Sequence, residues 1–180
     1  MLIEQLQEIE NYVKQNLVQL SAEQLNWKPA AGKWCIAQCL DHIIISNQTY
    51  FPSFEKIVNN NYHPSLWQRI NPFSKKMGHM LTNSISAIPE KRISAPKIFI
   101  PSNEYFGIEI IDKFLIHQQK IIPLIAALKK LKTRNIIISS PVSSLITIRL
   151  KDAITVIVQH EQRHINQANN VLHHSLFPKQ

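Results

Sequence analysis

The sequence predicts an all-α fold, a four-helix bundle with a long crossover connection between its second and third helices. Only 3 of the 180 residues are glycine, which leaves few of the turns that a β protein needs. Apolar residues instead recur at steps of three and four in four long segments, as on the buried face of a helix. The length and the hydrophobic fraction of 44% suit one core, so a single domain over residues 1–180 is expected.

Each of the four predicted helices has its own apolar stripe. The first spans residues 2–20, and the second begins near Cys35 and runs into the fifties, where Pro52 should kink or end it. Ser102 is expected to cap the third helix, since a serine side chain can accept from a free backbone N–H. The fourth helix is predicted from about residue 149 to about residue 174.

The connections between these helices differ in length. Residues 59–101 contain five prolines, which favours a long crossover with short helices around Leu66–Ile70 and Met77–Ile85. A connection this long is often functional, and here it could cover the mouth of a pocket. The segment 133–148 is rich in Ile, Val, Ser and Thr, so we expect an extended crossing with a strand-like piece at 135–139.

The net charge, the apolar segments and the cysteine content limit which partners and which cellular location are expected. The net charge of +8 predicts a basic surface, but the densest run, 129–134, falls at a predicted helix C-terminus, where cations complement the helix dipole. No nucleic-acid partner is therefore expected. No apolar stretch is long enough to span a membrane, and the N-terminal segment lacks the pattern of a signal peptide. The two cysteines, Cys35 and Cys39, suit a reducing compartment, so a cytoplasmic location is expected.

Two histidines interrupt the apolar stripe of the fourth helix. His160 and His164 are four residues apart and therefore lie on the same side of the helix, where core residues should be. Inward imidazoles need partners, and a shared metal ion with further ligands from elsewhere would supply one. Residues 160–164 also match the zinc-peptidase pattern H-E-x-x-H, in which Glu161 would be the general base. A peptidase would need a third ligand downstream and a substrate-aligning strand, which the sequence does not indicate.

Further side chains are candidates for the same pocket. His42 lies at the border of the inward side of the second helix, and Cys39 precedes it by one turn. His117 faces inward on the third helix, and Gln167 follows His164 by one turn. Each has an ordinary structural alternative, because His117 suits a satisfied core histidine and Cys39 a small buried thiol. Glu161 is a candidate catalytic or imidazole-orienting carboxylate, or else a partly exposed helix glutamate.

Two blocks of the sequence belong together. The first block, residues 25–42, has a tryptophan-proline loop, a Gly-Lys-Trp helix start and a histidine two turns into the helix. The second, residues 160–167, contains His160 and His164 and ends at Gln167. Together they resemble the DinB-like (DinB/YfiT-like) superfamily of four-helix-bundle metalloproteins, in which the second block is similar to the closing helix. The resemblance implies that His42, His160 and His164 are three metal ligands. Cysteine stands at position 35, where the family usually shows a capping serine.

The resemblance also implies a function. We expect a metal-dependent enzyme acting on a small molecule, by hydrolysis with metal-bound water or by transfer of a low-molecular-weight thiol. Zinc, nickel, iron or manganese would all accept imidazole ligands. A non-catalytic bundle that binds metal or ligand, as a sensor or a dimerising scaffold, is the alternative. The expected partners are a small-molecule substrate and a second copy in a homodimer, with no nucleic acid and no membrane.

Overall fold

The computed structural model describes residues 1–86, 96–131 and 136–179. The protein is mostly helical, as predicted, and adds one small two-stranded sheet. In chain order the elements are α1 (Leu2–Asn16), α2 (Ala22–Asn26), α3 (Ile36–Gln48), α4 (Phe51–Val58), α5 (Leu66–Ile70), α6 (Ser74–Ser86), a short 3-10 helix (Lys97–Phe99), α7 (Glu109–Lys130), β1 (Ile137–Ser140), β2 (Ser143–Arg149) and α8 (Leu150–Leu172).

The core lies between α1, α3, α7 and α8. Helix α3 contacts both α7 and α8, and α1 contacts the same two helices from the other side. One apolar cluster, which includes Phe114 and Ile165, packs around α3, while a second, which includes Phe54 and Ile157, packs around α4 and the first half of α8. Burying a side chain of this size stabilises the fold by about 1.5–3 kcal/mol, so the two clusters fix how α3 faces α8.

The second predicted helix is divided into α3 and α4. The break precedes Pro52, which lies in the first turn of α4, where a missing backbone N–H costs nothing. Helix α3 starts with a cysteine as its cap: the Cys35 sulfur accepts from the backbone N–H of Gln38, and the Gln38 side chain accepts from the backbone N–H of Cys35. Cysteine therefore fills the capping role at the helix that carries His42.

The expected start of the third helix is wrong. Helix α7 begins at Glu109, seven residues after Ser102, and Ser102 does not cap it. The backbone N–H of Ser102 instead donates to Asp41 at 2.7 Å, and that of Phe106 donates to Asn26 at 2.9 Å. These tertiary hydrogen bonds satisfy two backbone N–H groups of the segment before α7 without a helix, and they hold that segment against α2 and α3.

The crossover carries helices where the sequence placed them. Helix α5 matches the predicted bounds and α6 is slightly longer than expected, while part of the proline-rich segment, 87–95, lies outside the described residues. The expected strand-like piece is confirmed as β1, which pairs antiparallel with β2. The predicted basic run ends α7 as expected at Lys130, but 132–135 is not described. Among the described residues, no helix is both long and apolar enough to cross a membrane.

Candidate metal centre

Three histidines meet where α3 faces α8. His42 lies on α3, and His160 and His164 lie on consecutive turns of α8. One ring nitrogen from each histidine lies within 4.8 Å of the other two. The closest approach is 3.1 Å, between Nε2 of His42 and Nε2 of His160. His42 and His164 are buried, and His160 is half-buried, so one side of the cluster is nearer to solvent.

Hydrogen bonds at the far side of two rings fix which nitrogen faces the cluster. His42 Nδ1 lies 2.5 Å from the carbonyl oxygen of Phe99, which only accepts, so Nδ1 must carry the proton. His164 Nδ1 lies 3.2 Å from Oε1 of Gln167, and the same tautomer satisfies that contact. In both rings the lone pair is then on Nε2. Such contacts are the usual means by which proteins orient imidazole ligands.

The surroundings keep these imidazoles uncharged. Burial lowers the pKa of all three rings, and for His160 to about 3. The other rings of the cluster and the nearby Arg163 guanidinium lower the pKa of His160 and His164 further, because each positive charge disfavours another. Neutral imidazole is the form that binds a metal ion, so the site is in the ligating state at neutral pH.

The donor set fits a divalent metal ion. Two basic Nε2 atoms at 3.1 Å repel each other unless a proton or a cation lies between them. A third imidazole at the same point favours a cation, since one proton can bridge only one pair of nitrogens. The cluster of His42, His160 and His164 could therefore hold a metal ion, and all-imidazole ligation suits zinc, nickel, iron and manganese alike.

The Trp34 ring lies against the histidine cluster. Its centroid is 4.7 Å from that of His42 and 5.6 Å from that of His164. The loop that delivers it turns at Gly32, whose φ of 70° is favourable for glycine. Trp34 comes directly before the helix that carries His42, and this position was the sequence signal that could have placed its ring beside the cluster. Trp27 instead packs against Phe177.

Glu161 lies next to the metal-site histidines in sequence but faces a different environment. It is completely buried, so the alternative of a partly exposed helix glutamate is wrong. Its two carboxylate oxygens accept from Asn47 Nδ2 and Gln118 Nε2, each at 2.7 Å. Burial raises its pKa to about 7, although both hydrogen bonds lower it. A general-base role, in a peptidase or otherwise, would require a substrate to reach this completely buried carboxylate, and it stays a prediction.

The three predicted pocket-lining residues lie in three different environments. Gln167 contacts the ring of His164 directly. His117 is buried beside Asn47, at 3.1 Å from Nε2 to the amide nitrogen, and stacks on Phe51. Burial lowers the pKa of His117 to about 4. Cys39 is completely buried in the apolar core, which raises the pKa of its thiol. Pocket-lining roles for His117 and Cys39 stay predictions.

Sequence reasoning could not find two of the polar groups described above, the Phe99 carbonyl beside His42 and the Gln118 amide beside Glu161. The Phe99 carbonyl that orients His42 is a backbone group on the crossover, and any residue type can supply one. Asn47 interrupts the apolar stripe of its helix, and a polar residue at that inward position was a signal for the contact it makes with Glu161. Gln118 gave no signal, because its partner lies 43 residues away along the chain.

One of three comparisons with known proteins found a match. No significant match was found among curated proteins or among solved structures. A family model described as the DinB superfamily matches residues 5–168, which is most of the chain. The match contains all three clustered histidines together with Trp34 and Gln167. The chain therefore belongs to the DinB superfamily.

Proposed function

We propose that this protein is a metal-dependent enzyme that acts on a small molecule at His42, His160 and His164. The observation that carries the proposal is the convergence of three ring nitrogens within 4.8 Å, with the outward nitrogens of two rings already hydrogen-bonded. Three ligands leave coordination positions for water or substrate, as catalytic sites require. In this proposal α1, α3 with α4, α7 and α8 form the four-helix bundle of the family, and the site lies between two of its helices.

The chain's own groups prepare the site for such chemistry. A divalent metal ion bound there would act as a Lewis acid and lower the pKa of a coordinated water or thiol. The Phe99 carbonyl and Gln167 keep protons on the outward nitrogens, so that the inward nitrogens stay available as ligands. The Trp34 ring shields two of the imidazoles from water, which strengthens electrostatic interactions on that side.

Arg163 bears on the class of substrate. It is half-buried, and its charge is close enough to lower the pKa of all three clustered histidines. Within the described residues it forms no ion pair. A cation without a protein counter-charge beside a metal site attracts anions, which favours a thiolate or a carboxylate-bearing substrate. Transfer of a low-molecular-weight thiol and hydrolysis of an acidic small molecule both meet this condition.

The first experiment tests whether the histidines hold the metal. Elemental analysis of protein prepared without chelators should give about one metal ion per wild-type chain. The double variant His42→Ala, His160→Ala should contain almost none, and His173→Ala should match the wild type because that exposed histidine lies outside the cluster. Stoichiometric metal in the double variant would overturn the site assignment.

The second experiment tests turnover. Metal-loaded protein is assayed against a panel of thiols paired with small alkyl electrophiles, and against a panel of acidic esters and amides. We expect one panel to give turnover that chelator removes and added metal restores. If the metal is bound but neither panel reacts, the alternative of a non-catalytic metal- or ligand-binding protein is favoured. The homodimer expected from the sequence stays a prediction that sedimentation velocity can test.

A further inference from the structure

Helix α5 and the tip of the hairpin expose large apolar side chains. Leu66 and Ile70 on α5 are 72% and 61% exposed, and Leu145 on β2 is 72% exposed. Trp67 joins the two elements, because its indole Nε1–H donates to the carbonyl of Leu145 at 3.0 Å. Phe73 is also exposed, one turn beyond Ile70. We call these five residues the apolar tip.

The apolar tip is held in place by hydrogen bonds between its polar neighbours. Gln68 Nε2 donates to the Ser139 hydroxyl at 3.0 Å, and Asn71 Nδ2 donates to the Thr147 hydroxyl at 2.8 Å. Both contacts tie α5 to the sheet rather than to the core, and no residue of α5 is buried. The apolar side chains are therefore presented by a fixed backbone, which reduces the entropy that binding would cost.

The charged residues nearest to α5 in sequence are cations. Segment 56–89, which contains four of the five tip residues, carries 4 of the 20 Lys and Arg residues and none of the 12 Asp and Glu residues. Arg69, Lys75 and Lys76 adjoin the tip and are exposed, and none of them forms an ion pair within the described residues.

We propose that the apolar tip docks on the surface of an anionic lipid bilayer, inserting its side chains among the headgroups. Leucine, isoleucine, tryptophan and phenylalanine beside lysine and arginine are the composition of interfacial binding surfaces. Each cation near an anionic leaflet contributes about 1 kcal/mol of attraction, and the apolar side chains add the hydrophobic part. Binding to a bilayer surface needs no membrane-spanning segment. The expectation of no membrane partner rested on the lack of such a segment, so it does not apply to surface binding.

Other partners suit the apolar tip less well. A second copy would bring the same cations to the contact, and like charges would oppose a symmetric dimer through this surface. Nucleic acid would match the charge, but bases stack on aromatic rings, and three of the five tip residues are aliphatic. Side chains as exposed as Leu66 and Leu145 protrude, which suits a soft interface better than the complementary pocket of a protein partner.

The test is co-sedimentation with vesicles of phosphatidylcholine containing about one third phosphatidylserine, compared with phosphatidylcholine alone. We expect binding to the anionic vesicles, little binding to the neutral ones, and release as salt rises from about 0.1 M to about 1 M. The double variant Leu66→Ser, Ile70→Ser should bind at least about tenfold more weakly, because it removes apolar area that would enter the interface. Lys75→Glu, Lys76→Glu should do the same through charge.

Control variants distinguish binding through the apolar tip from non-specific binding of other exposed apolar side chains. Val18→Ser, Leu176→Ser removes two side chains of similar exposure outside the tip and should bind like the wild type. Tryptophan emission should shift to the blue with anionic vesicles, and Trp67→Phe should abolish the shift although Trp27 and Trp34 remain. The proposal is overturned if wild type fails to bind the anionic vesicles, if the tip variants bind equally well, or if they instead dissociate an oligomer in sedimentation velocity. Because all these positions are exposed, unchanged circular dichroism checks that each variant folds.

Discussion

Two polar clusters are built on the same pair of helices, and they differ in what they leave unsatisfied. The histidine cluster places the Nε2 atoms of His42 and His160 3.1 Å apart, where either a ring proton of His160 or a cation can lie between them. The second cluster, centred on Glu161, pairs each carboxylate oxygen with an amide donor, from Asn47 and Gln118. Helix α3 supplies His42 to the histidine cluster and Asn47 to the Glu161 cluster. Helix α8 supplies His160, His164 and Glu161.

The comparison separates a ligand site from a structural contact. Buried polar groups that satisfy one another stabilise a particular helix packing, whereas convergent lone pairs without a donor require something from outside the chain. Glu161 links α3, α7 and α8 through its two hydrogen bonds and needs no ligand. A motif that reads H-E-x-x-H thus contributes its histidines to one cluster and its glutamate to the other.

The largest expected effect is on metal binding through the histidine cluster. Replacing His160 by alanine removes one of three ligands, so we expect affinity for zinc to fall at least about a thousandfold, more than loss of an orienting group would cause. Titration calorimetry with zinc measures it. In the wild type, zinc at about 100 times its Kd should raise the free energy of unfolding by about 2.7 kcal/mol, and in His160→Ala it should raise it little.

The matched control is His173→Ala, which removes an exposed histidine just beyond the same helix. It should bind zinc as the wild type does. If both variants lose affinity equally, zinc is binding to surface histidines, and the contrast between the two clusters would not hold.

The second prediction concerns the Glu161 cluster and uses stability as the readout. Glu161→Ala leaves Gln118 Nε2 buried without its acceptor and leaves Asn47 Nδ2 with only its contact to His117 among the described residues, so we expect a loss of about 3 kcal/mol in the free energy of unfolding. Urea unfolding of the metal-free protein at pH 7 measures it. Zinc affinity should fall by less than about tenfold, because the carboxylate is not among the clustered ligand atoms.

Glu161→Gln is the control that keeps shape and volume. The Gln118 oxygen has no partner among the described residues, so its amide can turn over and accept from the new side chain. We expect this variant to lose only about 1 kcal/mol. A Glu161→Ala variant that keeps its stability but loses zinc would place Glu161 in the metal site after all.

Much of the fold could be predicted from the spacing of apolar residues and from the positions of proline and glycine. The stripes marked the long helices. Helix α5 lies at its predicted bounds, and the structure shows that Ser65 and Gln68 form its capping box. The start of α7 could not be predicted, since hydrogen bonds to Asp41 and Asn26 decide it and those partners are more than 60 residues away in sequence. Local sequence signals indicate which structure a segment prefers. In the segment from Ser102 to Phe106, tertiary hydrogen bonds stabilise a non-helical conformation instead of a capped helix.

The candidate site divides in the same way. Spacing on one helix predicted that His160 and His164 point together, and the resemblance implied His42 as their partner across the interface. The exposure and orientation of Glu161 could not be predicted, because a position between two ligands can face the metal, solvent or a third helix. Only the packing of α3 against both α7 and α8 makes the third outcome the one that occurs.

The third prediction concerns how the free energy of unfolding depends on pH through His117, which contacts Asn47 of the Glu161 cluster. In the folded protein burial lowers the pKa of His117 to about 4 from an ordinary 6.5, so between these values the unfolded chain binds a proton that the folded chain does not. The free energy of unfolding should therefore fall as pH falls through this window. The variant His117→Phe can still stack on Phe51. In metal-free protein, its free energy of unfolding should fall by about 2 kcal/mol less between pH 7 and pH 5 than that of the wild type. Parallel stability curves for the two proteins would contradict it.

The smallest expected effect lies on the rim of the histidine cluster. Gln167→Ala removes the acceptor that holds a proton on the outward nitrogen of His164, so we expect zinc affinity to fall about tenfold with little change in stability. Gln167→Glu keeps an acceptor and should retain or exceed wild-type affinity. Gln162→Ala is the matched control, because that amide bonds Asn166 rather than a clustered histidine. Long-range nitrogen-proton NMR of the metal-free protein reports the tautomer directly: if His164 keeps its proton on the outward nitrogen in Gln167→Ala, the cluster itself selects the tautomer, and the orienting role assigned to Gln167 is wrong.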